Sequence, residues 1–407
     1  MNVLDGSFYA FGLAFISQSA VLPVLVTEIG GSAIAVGLIP VVWTIGFNFP
    51  QIFIAHYASG IKSKKALVMK TAIVQRLPWL LLSLAAFYVF DEVGIAISLI
   101  LFFIGFAMAA VGGAFNLPGW FDLISKVTPV NLRGRLFAFR VAIGGIFGII
   151  AGAGVKIILD NFSYPNGYGI LFLTGFLIMM ISYLFVCLIK EELINEPKRS
   201  DIRYKDFLLS LPTIFKKEKN YRNFLISDAF IMIAQMAPAF FTVHAFYKFN
   251  LTPGYVGVIT IVMMTATIIG SFAFGYLADH LGHRINLFFE AVFMLAACAI
   301  SLIAGTVEVY YFVFVFAALA SSLMQISRLT IVAEFCVEEE RPTYIALTNL
   351  LTVPFTFSGI LGGVVANKFG YEPVFVISGI FALLSAIWIS AMMTEPRTKT
   401  MKTIINK

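Results

Sequence analysis

Apolar runs of about 20 residues, each long enough to cross a hydrocarbon layer of about 30 Å, recur along the whole chain with short polar stretches between them. Their spacing predicts helices near 7–27, 33–58, 67–89, 94–121, 136–158 and 168–189, then six more near 223–247, 255–279, 285–306, 309–334, 343–367 and 371–393. The one long polar stretch, Lys190 to Arg222, separates the two sets and mixes charge (EPKRSDIRYKDF, KKEKNYR) with the apolar segment LLSLPTIF. The expected fold is an all-α membrane protein of twelve transmembrane helices in two pseudo-symmetric six-helix bundles. The expected boundaries are 1–189 for the N-terminal bundle, 190–222 for a cytoplasmic linker, 223–394 for the C-terminal bundle and 395–407 for a cytoplasmic tail.

Composition removes the soluble alternative. The 407 residues are 60% hydrophobic and 12% charged, against roughly 25% charged in a soluble domain. A net charge of +6 raises nucleic acid as a partner, but the basic residues lie in short loops rather than on a folded basic face. Assigned alternately, the loops of one side, with the linker and tail, hold 21 of the 28 Lys and Arg, whereas the other side has Lys156, Lys248 and Lys368 near helix ends. The positive-inside rule then puts both termini in the cytoplasm, for a multi-pass protein of the cell membrane. The start, MNVLDGSFYAFGLAF, does not read as a removable signal peptide, so helix 1 is expected to be kept.

Catalytic chemistry finds no footing. Cys187, Cys298 and Cys336 form an odd set without metal-ligand spacing, and four His are too few for a metal centre. HExxH, P-loop and GxSxG patterns are absent. No enzyme, cofactor or metal is expected, and any energy source is a gradient rather than ATP.

The halves resemble one another. Asp5 near the start of helix 1 matches Asp228 near the start of helix 7, and Gly37 matches Gly257. Asp122 followed by Arg133-Gly-Arg matches Glu334 followed by Arg341-Pro-Thr, each before a glycine-bearing helix. Duplication of a six-helix unit explains this economically.

Between helices 8 and 9 stands Gly275-Tyr-Leu-Ala-Asp279-His-Leu-Gly282-His-Arg284. It resembles the G-x-L-A-D-R-x-G-R-[RK] loop motif of the major facilitator superfamily, with two His at its first two basic places. The first-half copy is degenerate, with Ser59 in the Asp place and Lys62 in that of the second Gly. The resemblance implies that family's fold, two six-helix bundles with a site between them near the midplane. It also implies a gate in which the glycines let helices approach and Asp279 sits against the N-terminus of helix 11. The pairs Asp122/Arg133 and Glu334/Arg341 resemble the family's cytoplasmic charge clusters, which lock the inner ends of helices.

Polar residues at membrane depth supply site candidates, because an intramembrane charge is costly without a partner or water. Arg76 lies about 13 Å along helix 3, near the midplane, and either binds an anionic group or pins helix 3 to its neighbours. Asp5 and Asp228 are candidates for a coupling proton. His244 and Glu290 are weaker ones, near an outer end and on a helix the resemblance makes peripheral. Gln18, Asn48, Gln51, Gln235 and Gln325 are candidate pocket residues, with Arg328 belonging to pocket or gate. Pro50, Pro78, Pro238 and Pro354 interrupt helices 2, 3, 7 and 11 and allow bends. Helix 5 is glycine-rich but lacks the Gly-Pro step of many drug/proton antiporters.

These features together lead to the expectation of a monomeric secondary transporter. It moves a small molecule by alternating access, with proton coupling as a candidate and export of an organic compound as the favoured direction. A lipid flippase or a ligand-sensing receptor on the same scaffold is the alternative.

Overall fold

The computed structural model describes residues 1–59, 61, 63–191, 218–336 and 340–397, and every regular element among them is an α-helix. Most of the linker, residues 192–217, and the tail from 398 lie outside the described residues. In chain order the helices are α1 (Asn2–Ala14), α2 (Val21–Glu28), α3 (Ala33–Ser59), α4 (Lys64–Tyr88), α5 (Ile95–Val127), α6 (Val130–Asn161) and α7 (Asn166–Cys187). They continue as α8 (Lys219–Ala234), α9 (Pro238–Phe249), α10 (Tyr255–Leu281), α11 (His283–Ile303), α12 (Val307–Glu334), α13 (Arg341–Thr356), α14 (Ser358–Phe369) and α15 (Glu372–Met392).

Eleven helical stretches among the described residues are long and apolar enough to cross a membrane. The twelfth expected span, residues 7–27, is present as two shorter helices, α1 and α2, parted by an irregular step over residues 15–20. Within that step the Ser17 carbonyl accepts from both Val21 and Leu22, and the Ser17 hydroxyl accepts from the Ala20 N–H. The corresponding span of the second half is broken too, at residues 235–237 between α8 and α9. There Pro238 opens α9, having no N–H to continue the ladder. Span 11 parts at Phe357, just beyond Pro354. Helix starts follow ordinary capping: Ser63 accepts from the Ala66 N–H ahead of α4, and Thr306 from Val309 ahead of α12. Several boundaries move from the expectation: α1 begins at Asn2, α5 runs on to Val127, α6 begins at Val130, and α8 begins at Lys219, inside the expected linker.

By contacts the chain forms two compact units. One holds the described residues through Glu191 together with Thr242–Thr265, and the other holds residues 218–241 and those from Ala266 onward. This grouping differs from the sequence boundaries at 189 and 223, which stand as a proposal. In the first unit α4 packs on α5 and α7, and α1 on α6 and α7. In the second, α11 packs on α12 and α15, and α8 on α13 and α15. Counted as spans, 3 meets 4 and 6 while 1 meets 5 and 6, and the same pairings recur as 9 with 10 and 12 and as 7 with 11 and 12. Each unit also closes one end with an apolar cluster, Val68, Leu123, Ile124 and Val186 in one, Tyr221, Phe224, Ile331 and Leu347 in the other.

Candidate functional site

The first unit buries a charged network around Asp5, which α1 presents from its first turn. Asp5 Oδ1 accepts from the Ser182 hydroxyl at 2.8 Å, and Oδ2 accepts from Trp120 Nε1 at 3.0 Å. Arg140 approaches Oδ2 at 3.7 Å. Arg76 joins the network through Ser182: Nη2 donates to that hydroxyl at 3.0 Å, Nε to the Met179 carbonyl at 2.9 Å and Nη1 to the Ala72 carbonyl at 3.0 Å. Its guanidinium also lies over the rings of Tyr9 and Tyr183. With 2% of its surface exposed and all three nitrogens engaged, Arg76 braces α4 against α7. These contacts are the ones the bracing reading of the sequence calls for. A neutral chain runs beside it, from Thr71 to Asn116 to Gln75 to the Tyr9 hydroxyl.

The second unit repeats the theme with different partners. Asp228 on α8 is gripped by Arg328 of α12, Nε to Oδ1 at 2.8 Å and Nη2 to Oδ2 at 2.8 Å. The same guanidinium donates to Thr352 Oγ1 at 2.9 Å and reaches Asn349 Oδ1 at 3.4 Å, both on α13. Arg328 therefore belongs with the proton candidate Asp228 rather than with the inner charge cluster. Glu290 faces the interior of this unit, almost fully buried, with Oε1 unbonded among the described residues.

The uncharged candidates divide. Gln18 and Gln235 sit in the two helix breaks, Gln18 within the step of span 1 and Gln235 capping α8. Among the described residues the Gln235 side chain reaches only the Met324 sulfur, at 3.6 Å. Asn48 and Gln325 are exposed, whereas Gln51 is half-buried with an unbonded Nε2. The structure does not gather Asn48 or Gln325 into either polar network.

At the inner ends the expected pairings are replaced by others. Asp122 bonds Lys64 at 3.1 Å, not Arg133, whose side chain instead holds the Ser125 and Thr128 carbonyls at the end of α5. Glu334 bonds Arg397 and lies 3.9 Å from His283, while Arg341 is exposed. The cause is packing: spans 3 and 4 are neighbours, as are spans 9 and 10, so the acid ending one meets the base opening the other. Lys64 and His283 hold equivalent places. Within the loop motif, Asp279 is exposed and its carboxylate makes no hydrogen bond among the described residues, so the expected contact with helix 11 is not formed here. A Cβ on Gly275 would meet nothing within 4 Å, so that glycine serves no close approach. Gly282 does, adopting φ +87 with the Glu395 carboxylate against it. The side chains of Ser59 and Lys62 lie outside the described residues.

Two acids that sequence reasoning passes over organise these ends. Glu191 lies just past α7, its side chain 3% exposed. It accepts from the N–H groups of Lys64 and Lys65 at 2.9 Å each, from Ser63 Oγ and from Lys126 Nζ. Burial pushes its carboxyl up, but the bonds from Lys126, Lys65, Lys64 and Ser63 outweigh that and hold it below the usual carboxylate range. Glu395 accepts from the Arg284 N–H at 3.0 Å in the matching place. Lys65 and Arg284 complete the pattern by donating to the last carbonyls of α7 and α15. The spacing from each helix end to its acid is the sequence signal that points to the pair. Arg140, Trp120, Gln75 and Asn116 also escape a reading of the sequence, and for them no local motif exists.

Comparison with known proteins agrees with this architecture. Residues 224–405 match the family model described as Major Facilitator Superfamily. No curated protein sequence matches the chain. A crystal structure of a mutant of nucleoside transporter NupG is similar with a TM-score of 0.74 at 14% identity, covering 97% of this chain and 100% of that one. A D-xylose-proton symporter is similar at 0.71 and 14%, covering 97% of both. A bacterial homolog to human lysosomal transporter Spinster reaches 0.66 at 14%, covering 95% of both. The second half of the chain thus matches the Major Facilitator Superfamily model over residues 224–405, and the fold of these transporters is shared over nearly the whole length.

Proposed function

We propose that the chain is a secondary transporter that carries a small organic molecule across the cell membrane by alternating access. The observation that carries this reading is the matched pair of helix breaks, at residues 15–20 and 235–237. Interrupted spans in corresponding places of two repeats release backbone polar groups at membrane depth, where they serve as substrate contacts. Gln18 and Gln235 add side-chain donors and acceptors at the same two breaks. Structurally similar proteins named as nucleoside and sugar transporters support the general activity.

Proton coupling through Asp228 extends the proposal. Arg328 neutralises that carboxylate in the state described, and a proton on Asp228 takes over this role and releases the arginine. Asp5, already bonded by Ser182 and Trp120, is the second candidate. Asp279, Arg284, Glu334 and the inner acids serve as the cytoplasmic gate in this reading.

The test begins with a thermal-shift screen of purified protein against a compound library, since a ligand that binds the native state raises its melting temperature. Hits then go into flux measurements in liposomes with and without a pH gradient of either sign, which reads direction and coupling. A ligand that binds without crossing makes the chain a sensor, and movement of labelled phospholipid makes it a flippase. Asp228→Asn should abolish proton-driven accumulation while substrate exchange persists.

A further inference from the structure

The charges around Asp5 do not balance. Two arginines, Arg76 and Arg140, serve one buried carboxylate, whereas the second unit sets Arg328 against Asp228 alone in its ion pair. Arg76 is saturated, with three bonds of 2.9–3.0 Å. Arg140 is not. Among the described residues its polar contacts are a 3.7 Å approach to Asp5 and a 3.4 Å approach to the Asn2 carbonyl. Both are long beside the separation of about 2.7–2.9 Å at which a well-seated guanidinium bonds a carboxylate. Asp5, the acid it approaches, is already bonded by Ser182 and Trp120. Arg140 can therefore turn to another anion without stranding a buried carboxylate.

The surroundings hold Arg140 in place while leaving its bonding edge in reach. Its guanidinium stacks on the Trp120 ring at 4.3 Å and lies over Gly6 of α1, where any Cβ would collide with it. Its side chain is 16% exposed. Trp120 continues into Phe121 and Phe137, with ring centroids 5.2 and 6.3 Å away, and both phenyl groups are exposed. A fixed guanidinium beside an open aromatic rim matches a molecule with an acidic group at one end and an apolar or aromatic body at the other.

We propose that Arg140, with Trp120 and Phe137, forms a binding site for a soluble organic anion, its carboxylate or phosphate on the guanidinium and its apolar body on the rings. This names a substrate class for the transporter proposed above and rests on that reading for its biological sense. The binding itself stands apart from it.

The probes are benzoate and phenyl phosphate, with benzyl alcohol as the neutral counterpart, titrated against the purified full-length protein while its melting temperature is followed. Both anions should stabilise, with a shift that grows as the logarithm of concentration, and benzyl alcohol should not. Arg140→Gln should weaken the anions by about 10-fold or more, while Lys156→Gln at the opposite helix end leaves them unchanged. If Arg140→Gln does not fold, Arg140→Lys carries the test, melting as the parent but binding phenyl phosphate more weakly because it lacks the planar fork. Equal stabilisation by benzyl alcohol, parent-like binding by the tested Arg140 variant, or stabilisation only by phosphatidylglycerol in phosphatidylcholine nanodiscs overturns the site. Binding without flux counts against transport and leaves the site standing; flux of other compounds without anion binding does the reverse.

Discussion

Asp228 and Arg328 form a two-pronged ion pair inside the second unit, with 2% and 12% of their side chains exposed. A buried pair of this kind is a constraint more than a source of stability, because desolvating both charges costs much of what their attraction returns. The asymmetry appears when one partner is removed. Arg328→Ala should cost about 3–5 kcal/mol, since it strands a buried carboxylate. The double variant Asp228→Asn with Arg328→Gln should melt higher than Arg328→Ala, which thermal unfolding of the three proteins checks. A single variant that melts with the parent would show that water reaches Asp228 freely.

Arg76 should behave as a brace. Its fork reaches Met179, Ala72 and Ser182 at once, and a lysine ammonium cannot span those three directions. Arg76→Lys and Arg76→Ala should both lower the melting temperature, by the same amount with and without a bound ligand. A fall in ligand affinity at an unchanged melting temperature of the empty protein would restore the substrate role.

How far the sequence carries depends on the range of the interaction. The spans, their duplication and the Asp5/Asp228 match follow from hydrophobic length and internal repetition, and the structure reproduces them as helices and as repeated packing pairs. The break in span 1 is less legible, for FISQSA contains neither glycine nor proline, and Ser17 bonds to the neighbouring backbone produce it. Gln18 and Gln235 read as isolated polar residues in the sequence, and their common position in two breaks becomes visible only with the helices drawn. The charge pairings are misassigned because sequence proximity links Asp122 to Arg133 and Glu334 to Arg341. The actual partners, Lys64 and Arg397, lie far along the chain and are set by which helices are neighbours. Arg140 escapes notice for the same reason, since its meaning depends on Gly6 and Trp120.

The two glycines of the loop motif should respond in opposite directions. Gly282 holds φ +87 against the Glu395 carboxylate, so Gly282→Ala should cost about 1–3 kcal/mol in backbone strain alone. Gly275 is inside α10 with open space beside it, and Gly275→Ala should be neutral or stabilising by up to about 1 kcal/mol. Melting temperatures in the absence of substrate separate them. A Gly275→Ala protein of normal stability that transports slowly would place the close approach of that glycine in another conformation of the cycle.

Glu191 should give the inner end of the first unit a pH-dependent clasp. Its folded carboxyl titrates below the ordinary value of 4.5, with the bonds from Lys126, Lys65, Lys64 and Ser63 outweighing burial. A carboxyl depressed on folding contributes stability that is fully present above the unfolded value and is lost as pH falls through the folded one. At neutral pH Glu191→Gln therefore loses the charge that Lys126 and the first N–H groups of α4 face, a cost of about 1–3 kcal/mol for a buried group of this kind. As the pH falls past about 4.5 the carboxyl of the unfolded chain takes up a proton first, so the advantage of the parent shrinks, and the two proteins should converge once the pH has dropped through the lower folded value. Melting curves of parent and Glu191→Gln, recorded from neutral to acid pH in one detergent, check both parts. A gap that stays constant across the range would mean that Glu191 acts through its shape and hydrogen bonds, and that its charge contributes nothing to holding the start of α4 against the end of α7.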